Sequence, residues 1–518
     1  MVHTKLLVSR ESARLALLAL CALAGLACAA DSGSGPGRPG RPQAGTAAGG
    51  GNAPSTTGNT NNANTTSGSA GASTTGSSNG NPSTTLIRPG TNTTVIGGTE
   101  SGCKGLQCQQ RACAGGVTTT ISGRVYDPAG KNPLYNVVVF VPNEPVQPFK
   151  PGASCDKCDA MYTGKAVVSA LTDSNGMFRL EKAPDGANIP LVVQIGKWRR
   201  QLTIPNVPMC QETVLPDRSL TLPKNRMEGD IPNIAIATGG ADTLECLLRR
   251  IGVDASEYVG GPNGPGAVHI FQGGTSRGGG ARSGAPNTVP AGPTASMGLW
   301  SSKEELMKYD VVLLSCEGKE TEAMNQQALH DYAAAGGRVF ASHFHYAWFN
   351  TGPYATEELA TWIPESQDIG NITGSIVTSF PKGEALKQWL GNTQALVNGE
   401  LPIEEARHNA DVTPMHTASQ PWILASPTSM APGATQYFSF NTPTSEAKLP
   451  DGRVCGRVVY SDLHVGAASN DRPQAAVPSS CSDVDLSPQE KALEFMLFDL
   501  SACVIPDDVP PAAPPPLK

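Results

Sequence analysis

Residues 329–346 read LHDYAAAGGRVFASHFHY. The first half has the small and apolar spacing of a helix end, and Gly336 and Gly337 stop it. The run RVFASHF that follows is rich in β-branched and aromatic side chains and reads as a strand. It ends in His343 and His345, two of only eight histidines in the chain. Alternate residues of an extended strand share a face, so this spacing predicts both imidazoles on one side of the strand's carboxyl end.

Outward from this stretch the same grammar repeats. IPNIAIATGG (231–240) is an apolar strand closed by glycines, and ADTLECLLRRIGV (241–253) is a helix opening near Asp242 and Thr243. YDVVLLSCEG (309–318) is a second strand, and TEAMNQQALHDYAAAGG (321–337) is its following helix. Ser302 with Glu305, and Ser487 with Pro488 and Glu490, mark further helix starts. Alternating strand and helix predicts a flavodoxin-like α/β three-layer domain. Ligands of such sheets gather at the carboxyl ends of the strands. That rim should carry Gly239, Gly240 and Asp242, then Cys316 and Glu317, then His343, His345 and Tyr346, with Asp462 and His464 from a late strand.

The N-terminus sets the compartment. A basic lead (Lys5, Arg10, Arg14) precedes LALLALCALAGLAC (15–28), too short to span a bilayer. Residues 1–28 therefore read as a signal peptide. The residues before Cys28 resemble a bacterial lipobox, which implies lipidation of Cys28, although Gly25 stands where that family prefers leucine. The alternative is plain cleavage and free secretion. The expected location is the cell envelope of a Gram-negative bacterium, as an outer-membrane-anchored lipoprotein facing periplasm or surface. Residues 29–102 are almost all Gly, Ser, Thr, Asn, Ala and Pro and predict a disordered linker. Its reach is on the order of 50 Å. Net charge is −7, with no block of basic residues, which argues against nucleic acid as partner. Thirteen cysteines, less Cys21 and Cys28, leave eleven, an odd number for a disulfide-forming compartment. At least one is free or pairs between molecules.

Residues 103–116 form a cysteine-rich bridge, and residues 117–225 read as β. Asn175-Gly176 predicts a type I′ hairpin. In TTTISGRVYDPAGKNPLYNVVVF (118–140), Ile121, Gly123, Val125, Asp127, Gly130, Pro133, Leu134 and Val137 resemble the opening of a carboxypeptidase regulatory-like domain. Thr172, Asp173, Gly176, Phe178 and Leu180 resemble its second signature. The resemblance implies a transthyretin-like β-sandwich, usually a spacer or binding module. An insertion brings Cys155 and Cys158, for which a loop disulfide involving Cys210 is the expectation.

Residues 230–505 resemble the class I glutamine-amidotransferase-like fold, nearest its ThuA-like branch. The likeness rests on 309–346 and on GRVCGRVVYSDLHVG (452–466). Glutaminase chemistry needs a nucleophilic cysteine on a G-x-C-x-G elbow and a late His-x-Glu, and neither is present. Cys316 is instead a disulfide candidate with Cys246. A (βα)₈ barrel of the tryptophan-synthase kind fails because only about three βα units are legible. His343, His345 and His464 are candidate ligands for a divalent metal (zinc, iron or manganese), with Glu317 and Asp462 as candidate catalytic carboxylates. The alternative packs one histidine beneath Tyr346 and Trp348 and gives the other to a backbone carbonyl. Gly239, Gly240, Asp242, Tyr346 and Trp348 are candidate binding residues, and Trp300, Trp362 and Tyr354 candidate sugar platforms. The expectation is a non-catalytic envelope scaffold, binding polysaccharide or envelope proteins. The alternatives are a metal-assisted carbohydrate hydrolase or isomerase, and a structural protein with a degenerate enzyme fold. Residues 506–518 read as a proline-rich tail.

Overall fold

The computed structural model describes residues 102–156, 158–273, 292–365, 367–444, 454–465, 477–479 and 481–516. The leader, Cys28 and nearly all of the 29–102 linker lie outside the described residues. Among the described residues no helix is long and apolar enough to cross a membrane.

The first eight strands are β1 (Thr120–Tyr126), β2 (Val138–Pro142), β3 (Ala166–Leu171), β4 (Met177–Glu181), β5 (Gly186–Ile195), β6 (Trp198–Val207), β7 (Glu212–Val214) and β8 (Leu220–Thr221). They make two four-stranded sheets, one in the order β4-β1-β7 with β8 also on β1, the other β3-β2-β5-β6. Period-two alternation sends Ile121 and Val125 of β1, Phe178 and Leu180 of β4, Val139 and Val141 of β2, and Leu191 and Val193 of β5 into one shared core. The expected Asn175-Gly176 hairpin is corrected: β3 and β4 belong to different sheets, so this turn crosses the sandwich. The Asp173 carboxylate shapes it by accepting from the N–H groups of Asn175 (2.8 Å) and Met177 (2.9 Å), and only Gly176 has positive φ.

A ten-stranded mixed sheet follows. Its strands are β9 (Ile234–Ala237), β10 (Tyr258–Gly260), β11 (Val268–Phe271), β12 (Val311–Leu314), β13 (Arg338–Ser342), β15 (Asp368–Ile376), β16 (Leu401–Arg407), β18 (Ser419–Ala425), β19 (Thr435–Thr442) and β20 (Gly456–Ser461). The order is β10-β11-β9-β12-β13-β20-β19-β18-β15-β16. The first six run parallel and the rest are antiparallel neighbours. A separate ladder joins β14 (Thr361–Trp362) to β17 (Ala410–Asp411). Every residue of β9 and β12 is buried, as expected of parallel strands covered on both faces. One face, with Ala235, Val312 and Leu314, packs on Leu329 and Tyr332 of the helix Gln326–Ala334. The other, with Ile234, Val311 and Leu313, shares its core with the helices Leu244–Arg250, Pro381–Asn392 and Pro488–Ser501 and with the sandwich.

The described residues form one compact unit. Trp198 of the sandwich meets Phe498 of the last helix at 5.8 Å between ring centres. Lys197 Nζ pairs with Asp310 at 2.6 Å, both largely buried. Two disulfides, Cys155–Cys455 and Cys158–Cys503, join the sandwich insertion to the α/β part. This corrects the loop disulfide expected for Cys155 and Cys158, because Cys210 pairs with Cys113. It also corrects Cys246–Cys316, because Cys246 pairs with Cys481. Among the described residues Cys103–Cys108 completes five disulfides, and buried Cys316 is left as the free thiol. The proline-rich tail is held as well: Asp507 pairs with Arg457 (2.7 Å), and Ser169 Oγ of β3 donates to Pro514 O (2.5 Å).

Where sandwich and last helix meet, the carboxyls of Asp127 and Glu494 are both fully buried, and Asn132 Nδ2 donates to Glu494 Oε2 (2.7 Å). Burial pushes both upward, Asp127 to about 6; Asp127 raises Glu494 further, while the Lys131 N–H and the Glu494 carboxyl pull Asp127 part of the way back. The pair holds a proton in the folded state. A raised folded pKa means stability that is full below the ordinary carboxylate range and lost as pH rises through about 6. Glu494→Gln should therefore raise the thermal midpoint at pH 8 by roughly 2–4 °C, and much less at pH 5, in differential scanning calorimetry.

Candidate metal centre

β12, β13 and β20 are adjacent parallel strands, so the residues just past their ends converge. Asp242, fully buried, fixes that convergence. Its carboxylate accepts from Ser342 Oγ at the end of β13, from Cys316 N (3.2 Å) past β12, and from Val465 N (2.8 Å) past β20. Gly239 packs against the Cys316 carbonyl with no room for a Cβ, which explains the glycine at that turn.

Three side chains meet at this edge. Cys316 Sγ lies 3.3 Å from His343 Nδ1, and His464 Nε2 lies 3.1 Å from the same nitrogen. All three residues are at most 3% exposed. Among the described residues this is the one group of three or more His, Cys, Asp or Glu whose ligand atoms fall within 4.8 Å of one another. His343 Nδ1 has one proton or one lone pair, yet it faces two partners. An ion bound to the thiolate and both imidazoles satisfies all three atoms. Zinc–sulfur and zinc–nitrogen bonds of about 2.3 and 2.0–2.1 Å at tetrahedral angles set ligand atoms about 3.3–3.6 Å apart, close to the spacing here. His343 Nε2 is buried without a hydrogen-bond partner. His343 also sits at φ 45°, a left-handed conformation uncommon for such a side chain, with its carbonyl taken by Tyr460 Oη at 2.8 Å.

Electrostatics argue against a cysteine–histidine nucleophile. Burial pushes the Cys316 thiol up, with Asp242 adding to it. Burial, then the neighbouring His464 and Arg407, pushes His343 down to about 2, and burial lowers His464 too. A neutral thiol beside neutral imidazoles is no thiolate–imidazolium pair, whereas a metal displaces the thiol proton on binding.

The expected trio is thus corrected. β13 ends at Ser342 and the chain turns into a 3₁₀ segment, His343–Trp348, so His343 and His345 do not share a strand face. His345 is satisfied where it stands. Its Nε2 donates to Ser315 O (2.9 Å), while Trp348 Nε1 donates to its Nδ1 and Thr321 Oγ1 contacts the same nitrogen (both 3.1 Å). Burial holds it neutral, its pKa down to about 4. Glu317 lies near Thr321 Oγ1 (3.4 Å). Asp462 is fully buried, which pushes it up to about 7, and it takes Asn409 N at 2.8 Å. Tyr460 Oη lies 2.8 Å from both Asp462 Oδ1 and the His343 carbonyl, the two acceptors of its hydroxyl. Gly240 is exposed. Tyr346 donates to Glu320 and accepts from Glu365 N (2.8 Å). Trp348 is buried edge-on to Trp300, Tyr354 is buried, and Trp362 stacks on Phe349, so the expected sugar platforms pack against protein. His416 Nδ1 is occupied by Thr413 N at 2.9 Å. Cys316 is the member of the cluster that the sequence placed on this rim but assigned to a disulfide, although the odd cysteine count signalled one free thiol.

No known protein family matches the chain, and no curated protein matches it. Among solved structures, two type II cohesin–X-dockerin complexes of Acetivibrio cellulolyticus are similar over short stretches. One, a C-terminal interface mutant, shows 17% identity over 24% of this chain and 76% of that chain, TM-score 0.14. The other, an N-terminal interface mutant, shows 16% identity over 26% and 85%, TM-score 0.16. A 9R-lipoxygenase from Cyanothece gives 13% identity over 20% and 15%, TM-score 0.10. Likenesses this shallow bear on neither fold nor function.

His345 therefore acts through packing. His345→Ala strands the Ser315 carbonyl and the Trp348 indole N–H, and should lower unfolding free energy by about 2–4 kcal/mol in urea titrations.

Proposed function

We propose that this chain is an exported metalloprotein. Its α/β part, of the flavodoxin-like and amidotransferase-like kind, holds a divalent ion on Cys316, His343 and His464. A lipid anchor at Cys28 and the linker tether it to the envelope membrane, and a transthyretin-like sandwich forms its other half. The observation that carries the reading is the meeting of a free thiol and two neutral imidazoles around one buried point. A thiolate with two imidazoles suits zinc better than manganese. Three protein ligands leave a fourth position open, the pattern of catalytic rather than structural zinc. A bound ion there supplies Lewis-acid polarisation or an activated water. The function that follows is metal-assisted hydrolysis of an envelope substrate, with polysaccharide the expected class.

Elemental mass spectrometry on the untagged full chain tests this. About one zinc per chain is expected, lost in Cys316→Ser, His343→Ala and His464→Ala and retained in His345→Ala. A well-folded wild type without metal overturns the proposal and leaves a non-catalytic binding scaffold.

A further inference from the structure

The antiparallel pairing of β15 and β16 is interrupted. Gly370 pairs with Ala406 and Ile372 with Ile403, so Glu404 and Glu405 together oppose the single position Asn371. This is a β-bulge, a device that re-aims a side chain. Glu405 carries it at φ 53°, in the left-handed region that favours glycine. The bulge is anchored on both sides. Glu405 N donates to Asn371 Oδ1 (3.1 Å), and Glu404 N donates to Gln489 Oε1 (2.7 Å). Gln489, 2% exposed at the start of the last helix, donates its amide N–H to the His464 carbonyl. One buried amide therefore sets the distance between the bulge and His464. Across it, Glu405 Oε2 lies 4.0 Å from His464 Nδ1.

A histidine that ligates a metal through one nitrogen carries a proton on the other and generally gives it to a carboxylate or carbonyl. His464 faces the cluster with Nε2, so Nδ1 is the nitrogen that needs an acceptor. The Asp242 carboxylate is already taken by three donors, and Asp368 pairs with Arg407 at 3.0 Å. Glu405 has no such engagement of its carboxylate among the described residues, and its side chain is 52% exposed beside a buried imidazole. The gap is longer than a hydrogen bond, and the half-exposed Glu405 side chain has solvent on one side in which to change rotamer.

We propose that Glu405 is the positioning carboxylate of the metal centre, brought to His464 by the bulge and completing a carboxylate–histidine–metal arrangement. The inference rests on the metal reading above. It makes Glu405 the group that fixes the His464 tautomer and ring orientation, and the one member of the assembly in contact with solvent.

The test is zinc affinity of the full chain, measured by competition with a chromophoric chelator, together with the visible spectrum of the cobalt-substituted protein. Glu405→Gln should weaken zinc binding roughly 10–100-fold and alter the cobalt bands. Melting of the metal-free protein should stay unchanged, which a merely structural role would not allow. Glu404→Gln, one position away on the same bulge, should bind zinc as the wild type does. Wild-type affinity and spectrum in Glu405→Gln overturn the proposal, as does an equal loss in Glu404→Gln, which would make the effect one of net charge. A wild type that takes up no zinc or cobalt overturns the metal reading itself, and is seen before any variant is compared.

Discussion

The buried carboxylate of Asp242 is the interaction on which the rest of the sheet edge depends. One oxygen takes a hydroxyl and a backbone N–H, and the other takes a second N–H, each from the end of a different strand. A carboxylate with no solvent is costly unless such donors surround it. Here they come from β12, β13 and β20, so satisfying one anion fixes three chain ends in register. The side chains just beyond those ends have little freedom left, and Cys316, His343 and His464 meet as a result. The left-handed backbone at His343 is tolerated because Tyr460 and the neighbouring strand hold it from the other side.

The second organising fact is that the sandwich does not stand apart. The inner sheet faces and the helical face of the large sheet share one continuous core, and two disulfides, the Lys197–Asp310 pair and the buried Asp127–Glu494 carboxyls cross the junction. Part of what fills the sandwich is therefore supplied by the last helix. A small β-domain gains burial from such a partner that its own size would deny it.

Much of this was legible. The parallel strands β9, β12 and β13 are apolar runs bounded by glycines, and that pattern has few other readings. Strands β15 to β19 were not, because Gly370, Pro402 and Pro421 interrupt β15, β16 and β18, bulges break the pairing, and β17 is two residues long. The site was half legible. The topological rule for strand ends brought His343, His464, Asp242 and Cys316 to one edge. It was misled at His345, since periodicity assumed a strand where the chain had already turned into 3₁₀ geometry. Disulfide pairing cannot be computed from spacing, so Cys316 was given to Cys246, whereas Cys481 lies nearer in space though far in sequence. Glu405 was invisible for a similar reason. A bulge is a property of two strands together, and one strand's sequence does not announce it.

The bridges from Cys155 and Cys158 span 300 and 345 residues. They close the polypeptide into large covalent rings that take in nearly the whole α/β part. A backbone break anywhere between Cys158 and Cys455 leaves the two fragments covalently joined. For a protein expected to work outside the cytoplasm, among proteases, a cut in that span changes connectivity without releasing a fragment.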